Sequence, residues 1–170
     1  ESQLKVNIEK KGYVAPTPIQ DEAIPYLLEG RDVIGMANTG TGKTAAFLIP
    51  LVNNVLMHKT SRVLIIAPTR ELANQIQDEL KIFMIKTGLT SVVCIGGANI
   101  HLQTKALRNN PTFVIGTPGR LIDLEKTRFI HFGDFDAIVL DEVDRMFDMG
   151  FIKDITYIID RLPKKRHSLF

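Results

Sequence analysis

The chain is predicted to be an α/β domain with a central, mostly parallel sheet between layers of helices, and three observations predict it. Apolar runs of strand length recur at residues 33–34, 62–67, 91–95, 112–115 and 135–140. Segments of helical spacing separate them, the clearest carrying Leu72, Ile76, Leu80 and Phe83; strands alternating with helices imply a parallel sheet. Between the first apolar run and the helix after it lies a glycine loop, Ala-Asn-Thr-Gly-Thr-Gly-Lys-Thr at 37–44.

That loop organises the chain. Glycines at 40 and 42 let successive backbone N–H groups turn onto an anion, and the following helix adds the positive end of its dipole. Lys43 would reach the β- and γ-phosphates of a nucleotide, and the Thr44 hydroxyl would sit on Mg²⁺. The strict pattern places glycine where this chain has Ala37, the mildest replacement. A chance Gly-Lys-Thr turn is the alternative, and the strand and helix around the loop disfavour it.

The remaining elements follow in order. Residues 3–11 form a short helix with Leu4, Ile8 and Val6 as inward candidates, ending at Gly12. Thr17 before Pro18 makes an N-cap with proline at the first helical position, opening a helix to Leu28 that Pro25 should kink or split. The phosphate loop's helix covers about 43–57, and a second runs from Pro68-Thr69-Arg70 to about Lys86. After the run at 91–95, Gly96-Gly97 closes the strand and 99–109 form a polar helix. Gly116-Thr117-Pro118-Gly119-Arg120 starts another helix, a further one lies near 151–161, and Ser168-Leu169-Phe170 has the look of a strand. No repeat, low-complexity tract or linker interrupts 1–170, which is therefore one domain.

Composition excludes little. An apolar fraction of 45% and a charged fraction of 24% are those of ordinary globular proteins. A net charge of +2 is too small to imply nucleic acid, so any basic surface must be local. Cys94, the single cysteine, lies in an apolar run and suits a small buried hydrophobe better than a catalytic thiol. No stretch has signal-peptide character or reaches eighteen apolar residues, which makes an intracellular, cytoplasmic location, or a nuclear one, the expectation and a membrane partner an unexpected one.

Asp141 and Glu142 complete the nucleotide site. A carboxylate pair at the C-terminal end of an apolar strand sits where ligands bind in parallel sheets. Asp141 would hold Mg²⁺ through water, opposite Thr44, and Glu142 would polarise the attacking water. Two solvated carboxylates capping a helix are the alternative. At the other strand ends, Pro-Thr-Arg, Gly-Gly and Thr-Pro-Gly-Arg offer N–H groups, hydroxyls and arginines suited to a nucleic-acid backbone. Arg70 and Arg120 could equally be structural ion-pair partners.

Six segments in sequence order, Gly-Tyr-Val-Ala-Pro-Thr-Pro-Ile-Gln (12–20), the loop at 37–44, Pro-Thr-Arg-Glu-Leu-Ala (68–73), Gly-Gly (96–97), Thr-Pro-Gly-Arg (117–120) and Asp-Glu-Val-Asp (141–144), closely resemble the first RecA-like domain of DEAD-box RNA helicases. The likeness covers essentially the whole chain and implies a three-layer RecA-like P-loop fold. It implies ATP with Mg²⁺ as cofactor, RNA as partner, and an RNA-stimulated ATPase that locally unwinds duplexes. Thr39, Gly40, Thr41, Gly42, Lys43 and Thr44 would hold the nucleotide; Gln20 would read the adenine edge, and Thr17 would support the loop. Arg70, Gly97, Thr117 and Arg120 match positions that grip the sugar-phosphate backbone. Asp144 matches a carboxylate that couples the nucleotide site to the serine-alanine-threonine motif and to a second RecA-like domain.

Departures from the family pattern carry their own expectations. Val143 stands where alanine is usual, Asn38 and Thr41 where glutamine and serine are commoner. The family's adenine-stacking aromatic would precede Glu1, and its second domain, with the arginine fingers, would follow Phe170. Such a finger is worth about 10³–10⁵ in rate, so this domain alone should hydrolyse slowly and unwind nothing. Protein cofactors are possible further partners. The rival readings are an ATP-dependent RNA clamp with suppressed hydrolysis and a DNA helicase or other P-loop ATPase; the Pro-Thr-Pro-Ile-Gln context disfavours the second.

Overall fold

The computed structural model describes residues 2–37 and 40–170. Five strands, β1 (Val63–Ile66), β2 (Ser91–Cys94), β3 (Phe113–Gly116), β4 (Ala137–Leu140) and β5 (His167–Leu169), form one sheet in the order β2-β3-β1-β4-β5. Every described pairing is parallel, with Ile65 opposite both Ile115 and Val139 in the central register. Strands buried on both faces read as continuous apolar runs, and β1, β3 and β4 are fully buried along their length.

The helices divide by face. On one side α1 (Ser2–Lys10), α2 (Pro18–Leu28), α3 (Lys43–Leu56) and α4 (Arg70–Phe83) pack against Val63, Ile65, Phe113, Ile115 and Val139. On the other, α5 (Ile100–Leu107), α6 (Pro118–Lys126), α7 (Val143–Asp148) and α8 (Ile152–Ile159) cover Leu64, Ile66, Val114, Ile138 and Leu140. Odd and even positions of each strand thus feed two separate cores, as a period-2 strand requires. The result is the expected three-layer sandwich.

Four local differences have physical reasons. The run at 33–34 forms no full strand: Val33 makes a single parallel bridge to Leu169 at the open edge of β5, and Ile34 is exposed. Its ladder is confined to Val33 N–H to Ser168 O, Phe170 N–H to Val33 O and Gly35 N–H to Phe170 O. Pro25 does not split α2; proline and Asp21, whose carbonyl loses its partner, both face solvent, where water replaces the bond. In α1 Leu4 is buried and Ile8 packs against the core as expected, but the third inward residue is Asn7, not Val6, which is exposed. Asn7 Nδ2 donates to the carbonyls of Phe83 and Ile85, tying α1 to the end of α4. Finally, α7 begins directly after the carboxylate pair, eight residues before the helix expected near 151, and Gly150 with φ +81° separates it from α8.

Candidate functional site

The proposed site segments emerge at the C-terminal ends of the parallel strands or from the loop preceding α3, except the segment of Thr17 and Gln20, which opens α2. Gly42 adopts φ +87°, ψ +19° and is followed by Lys43 and Thr44 in the first turn of α3. No side chain caps this turn, and the first amide to find a helical partner is Ala46 N–H, on Gly42 O. Among the described residues the amides of Lys43, Thr44 and Ala45 take no helical partner, an arrangement suited to phosphate. Thr41 and Gly40 lie in the same loop; Thr39 and Asn38 fall outside the described residues.

Lys43 crosses to the carboxylate pair. Its Nζ lies 3.6 Å from Asp141 Oδ1, and the Asp141 side chain is 4% exposed. Burial pushes the Asp141 carboxyl above its ordinary range, the ammonium of Lys43 opposes that shift, and the charge of Glu142 adds to it. Asp141 ends the strand with its N–H on Ile66 O. Glu142 then turns the chain in a left-handed conformation, φ 56° and ψ 51°, and its Oε2 accepts from Arg145 Nη1 at 3.1 Å. Asp144 is exposed in the first turn of α7.

A cavity of about 640 Å³ lies between these groups, with Ala37, Lys43, Asp141, Glu142 and Asp144 in its wall and Ile19 and Ala23 of α2 on its flank. That volume suits a nucleotide-sized ligand. Val143, the departure from the usual alanine, is half-buried, packing against the apolar core behind the sheet while also lining the cavity.

Gln20 and Thr17 touch the loop from the side. The Gln20 amide is buried and satisfied at both ends: Oε1 accepts from Thr17 N–H at 3.1 Å, and Nε2 donates to Gly42 O at 3.0 Å. Thr17 Oγ1 is buried beside Gly42 with no hydrogen-bond partner among the described residues. A Cβ at position 42 would stand 2.5 Å from Gln20 Nε2 and 3.2 Å from Thr17 Oγ1, so only glycine lets the loop sit against this pair. An orphaned hydroxyl at the loop and uncapped amides at the helix start both fit a polyphosphate.

The second set of residues lines the same rim farther along the sheet. Arg70 opens α4 and lays its guanidinium over the Gly96-Gly97 turn at the end of β2. Thr117 N-caps α6 without using its hydroxyl, and its N–H bonds Cys94 O at the end of β2. Arg120 Nη1 donates to Gln103 Oε1 at 2.9 Å. Neither Arg70 nor Arg120 forms an ion pair among the described residues, which leaves both guanidinium charges uncompensated. Gln103 and Arg145 carried no marker that sequence reasoning used: the first lies in a segment that looked uniformly polar, the second in a helix that was not expected.

Among the described residues no group of three or more His, Cys, Asp or Glu forms a metal cage. Mg²⁺ in nucleotide sites is held by one or two carboxylates or hydroxyls plus phosphate and water, and Thr44 with Asp141 offers that donor set. No described helix is long and apolar enough to cross a membrane.

Residues 17–170 match the family described as DEAD/DEAH box helicase. The chain is similar to the DEAD-box ATP-dependent RNA helicase CshA of Streptococcus pneumoniae, 47% identical over 169 residues, covering 99% of this chain and 32% of the relative. It is similar also to the DEAD-box ATP-dependent RNA helicase RhpA of Helicobacter pylori, 48% identical over 171 residues, 99% of this chain and 34% of the relative. The chain thus spans about a third of the length of these curated relatives. Among solved structures, that of a hypothetical ATP-dependent RNA helicase from Sulfolobus tokodaii superposes with a TM-score of 0.90 at 32% identity, over 99% of this chain and 49% of that one.

Proposed function

The chain belongs to the DEAD/DEAH box helicase family, and on that footing we propose that it is the first RecA-like, ATP-binding domain of an intracellular ATP-dependent RNA helicase. The observation that carries this reading is the approach of Lys43 to Asp141 across the cavity, 3.6 Å apart at the start of α3 and the end of β4. Two charges of opposite sign, one from the phosphate loop and one from the acidic pair, face the same space.

Each residue then has a chemical task. The amides of Gly40 to Thr44 and the Lys43 ammonium bind the phosphates of ATP, and Thr17 Oγ1 gives the loop an acceptor and donor at Gly42. Thr44 and Asp141 would hold Mg²⁺, which when bound neutralises charge on the phosphates. Glu142 accepts the proton of the water that attacks the terminal phosphorus, and Arg145 holds the carboxylate until then. Reading of adenine by Gln20 requires its amide to exchange the Gly42 carbonyl for the base, which would couple base recognition to the loop. Arg70, Gly97, Thr117 and Arg120 contact RNA phosphates and sugars, which position without reading sequence. Asp144 faces the cavity rim where a second RecA-like domain would close.

The test is RNA-stimulated phosphate release by the full-length protein. Lys43→Ala should reduce it by about 10²–10³, the cost of removing one charge-stabilising donor. Release that persists within tenfold of wild type would refute the assigned site. Single-stranded RNA should stimulate turnover more than DNA of the same sequence; the reverse order would replace the RNA reading with a DNA one.

A further inference from the structure

We propose that Gln103 is a positioning residue for RNA binding: it aims the Arg120 guanidinium at the rim without cancelling its charge. The inference rests on the proposed RNA role of Arg120. Gln103 sits in α5 with 5% of its surface exposed, a burial that an amide tolerates only when its groups are satisfied. Its Oε1 accepts from Arg120 Nη1 at 2.9 Å, and its Nε2 donates to Ile95 O at 3.0 Å. The orientation of the amide is set by its partners. A guanidinium can only donate and a carbonyl can only accept, so oxygen must face Arg120 and nitrogen must face Ile95.

One side chain therefore joins three elements: the end of β2 just before the Gly96-Gly97 turn, α5, and the first turn of α6. Two of these carry proposed RNA contacts, and Gln103 keeps them in register. The residue type matters as much as the position. A carboxylate at 103 would hold Arg120 equally close but would pair its charge, leaving less for a phosphate. A neutral amide tethers one of the five guanidinium N–H groups and leaves the charge without an ion-pair partner among the described residues.

Anisotropy of a labelled single-stranded RNA with the full-length protein at low ionic strength tests the idea, with thermal unfolding as the check on folding. Gln103→Met should weaken binding by about tenfold, near the low end of the worth of one hydrogen bond to a charged group. Arg120→Met should weaken it at least as much and lower the salt slope by about 0.7, the loss of one phosphate contact on a single strand. The double variant should bind no worse than Arg120→Met alone, because residues acting through one another are not additive. Gln103→Glu should keep the tether yet bind RNA more weakly than wild type, with a salt slope reduced like that of Arg120→Met. Additive losses in the double variant, or Gln103→Glu binding as well as wild type, would overturn the inference while leaving the RNA reading intact. Arg120→Met binding like wild type would instead remove the RNA reading, and this inference with it.

Discussion

Lys43 Nζ stands 3.6 Å from Asp141 Oδ1, and between their two segments runs β5, paired with β4 on one side and bridged to Val33 on the other. The pair therefore pins the phosphate loop to the acidic strand end across an intervening strand. Asp141 is nearly inaccessible while Lys43 remains partly exposed, so the lysine is free to move onto a ligand and the aspartate is not.

Stability should depend on the protonation of Asp141. Burial raises its folded-state pKa, against the opposing pull of Lys43. A carboxyl that holds its proton more tightly when folded stabilises the fold fully below its unfolded value. That contribution is lost as pH rises through the raised folded value. Asp141→Asn, which cannot ionise, is expected to unfold at a higher temperature than wild type near neutral pH. Its advantage should shrink as pH falls toward the ordinary carboxylate value of about 4. Thermal melts across that range check it; a variant less stable at every pH would mean that the contact with Lys43 outweighs the cost of burial.

Hydrolysis and binding should separate at Glu142. In the proposed mechanism its carboxylate acts on the attacking water and does not hold phosphate, and among the described residues it accepts from Arg145. Glu142→Gln keeps the shape and removes the base. Turnover by the full-length protein should fall by about 10²–10⁴, the usual contribution of a general base, while ATP affinity stays within a factor of about two. Single-turnover phosphate release alongside equilibrium nucleotide binding distinguishes the two effects. Equal loss of both would assign Glu142 to binding instead.

What the sequence revealed of this site follows from where polarity coincides with exposure. The sandwich was legible because β1, β3 and β4 are buried on both faces and show as unbroken apolar runs. The turn that opens α3 was legible because glycine marks its left-handed conformation at Gly42. Glu142 takes a similar backbone conformation with no glycine to announce it, so the turn from β4 straight into α7 was invisible. Asn7 and Gln103 escaped for another reason. Each is a polar residue buried by partners distant in sequence, Phe83 for one, Arg120 and Ile95 for the other. Periodicity assigns such residues to solvent.

Arg128 should be replaceable at a gain in stability. It follows the C-cap of α6 at φ 61°. Its N–H bonds Glu125 O, and the next amide, Phe129 N–H, reaches back to Leu124 O. That double closure is a Schellman motif, whose left-handed position favours glycine. The Cβ penalty of about 1–2 kcal/mol is partly offset by the greater unfolded-state freedom of glycine, about 0.5–1 kcal/mol. Arg128→Gly should therefore stabilise by about 0.5–1 kcal/mol, raising the melting temperature by roughly 1–4 °C for a chain of this size. An unchanged or lower melting temperature would show that the arginine side chain contributes to the fold.

Cys94 should resist modification until the domain unfolds. The thiol is fully buried in β2, and burial pushes its pKa up to about 12, against a small opposing effect of Arg120. Only the thiolate is a competent nucleophile, so both access and ionisation are denied. Alkylation at mildly alkaline pH should be slower than that of a free thiol by at least about 10³, the combined effect of the raised pKa and of exclusion. In denaturant the rate should rise to that of a free thiol. Rapid reaction of the folded chain would expose β2 as a mobile edge.

The two neighbouring glycines at the end of β2 should respond differently to the same methyl group. At Gly97, φ is +76°, and a Cβ would lie 2.3 Å from Arg70 Nη1 and 3.0 Å from its Cζ. At Gly96 the backbone is not left-handed, and the nearest approach is 3.4 Å to Arg70 Nη2. Gly97→Ala thus forces the guanidinium off the turn and adds a left-handed penalty of about 1–2 kcal/mol, whereas Gly96→Ala asks only for ordinary contact. The arginine tip is flexible, so Gly97→Ala should still fold, with the guanidinium displaced from the rim. RNA affinity should then fall about tenfold, the equivalent of one lost charged hydrogen bond, and Arg70→Ala should lower it by a similar factor. Gly96→Ala should bind RNA within about twofold of wild type. Anisotropy titrations on the three variants, set beside their melting temperatures, decide the matter. Equal effects at 96 and 97 would mean that the turn itself, rather than the arginine lying on it, meets the nucleic acid.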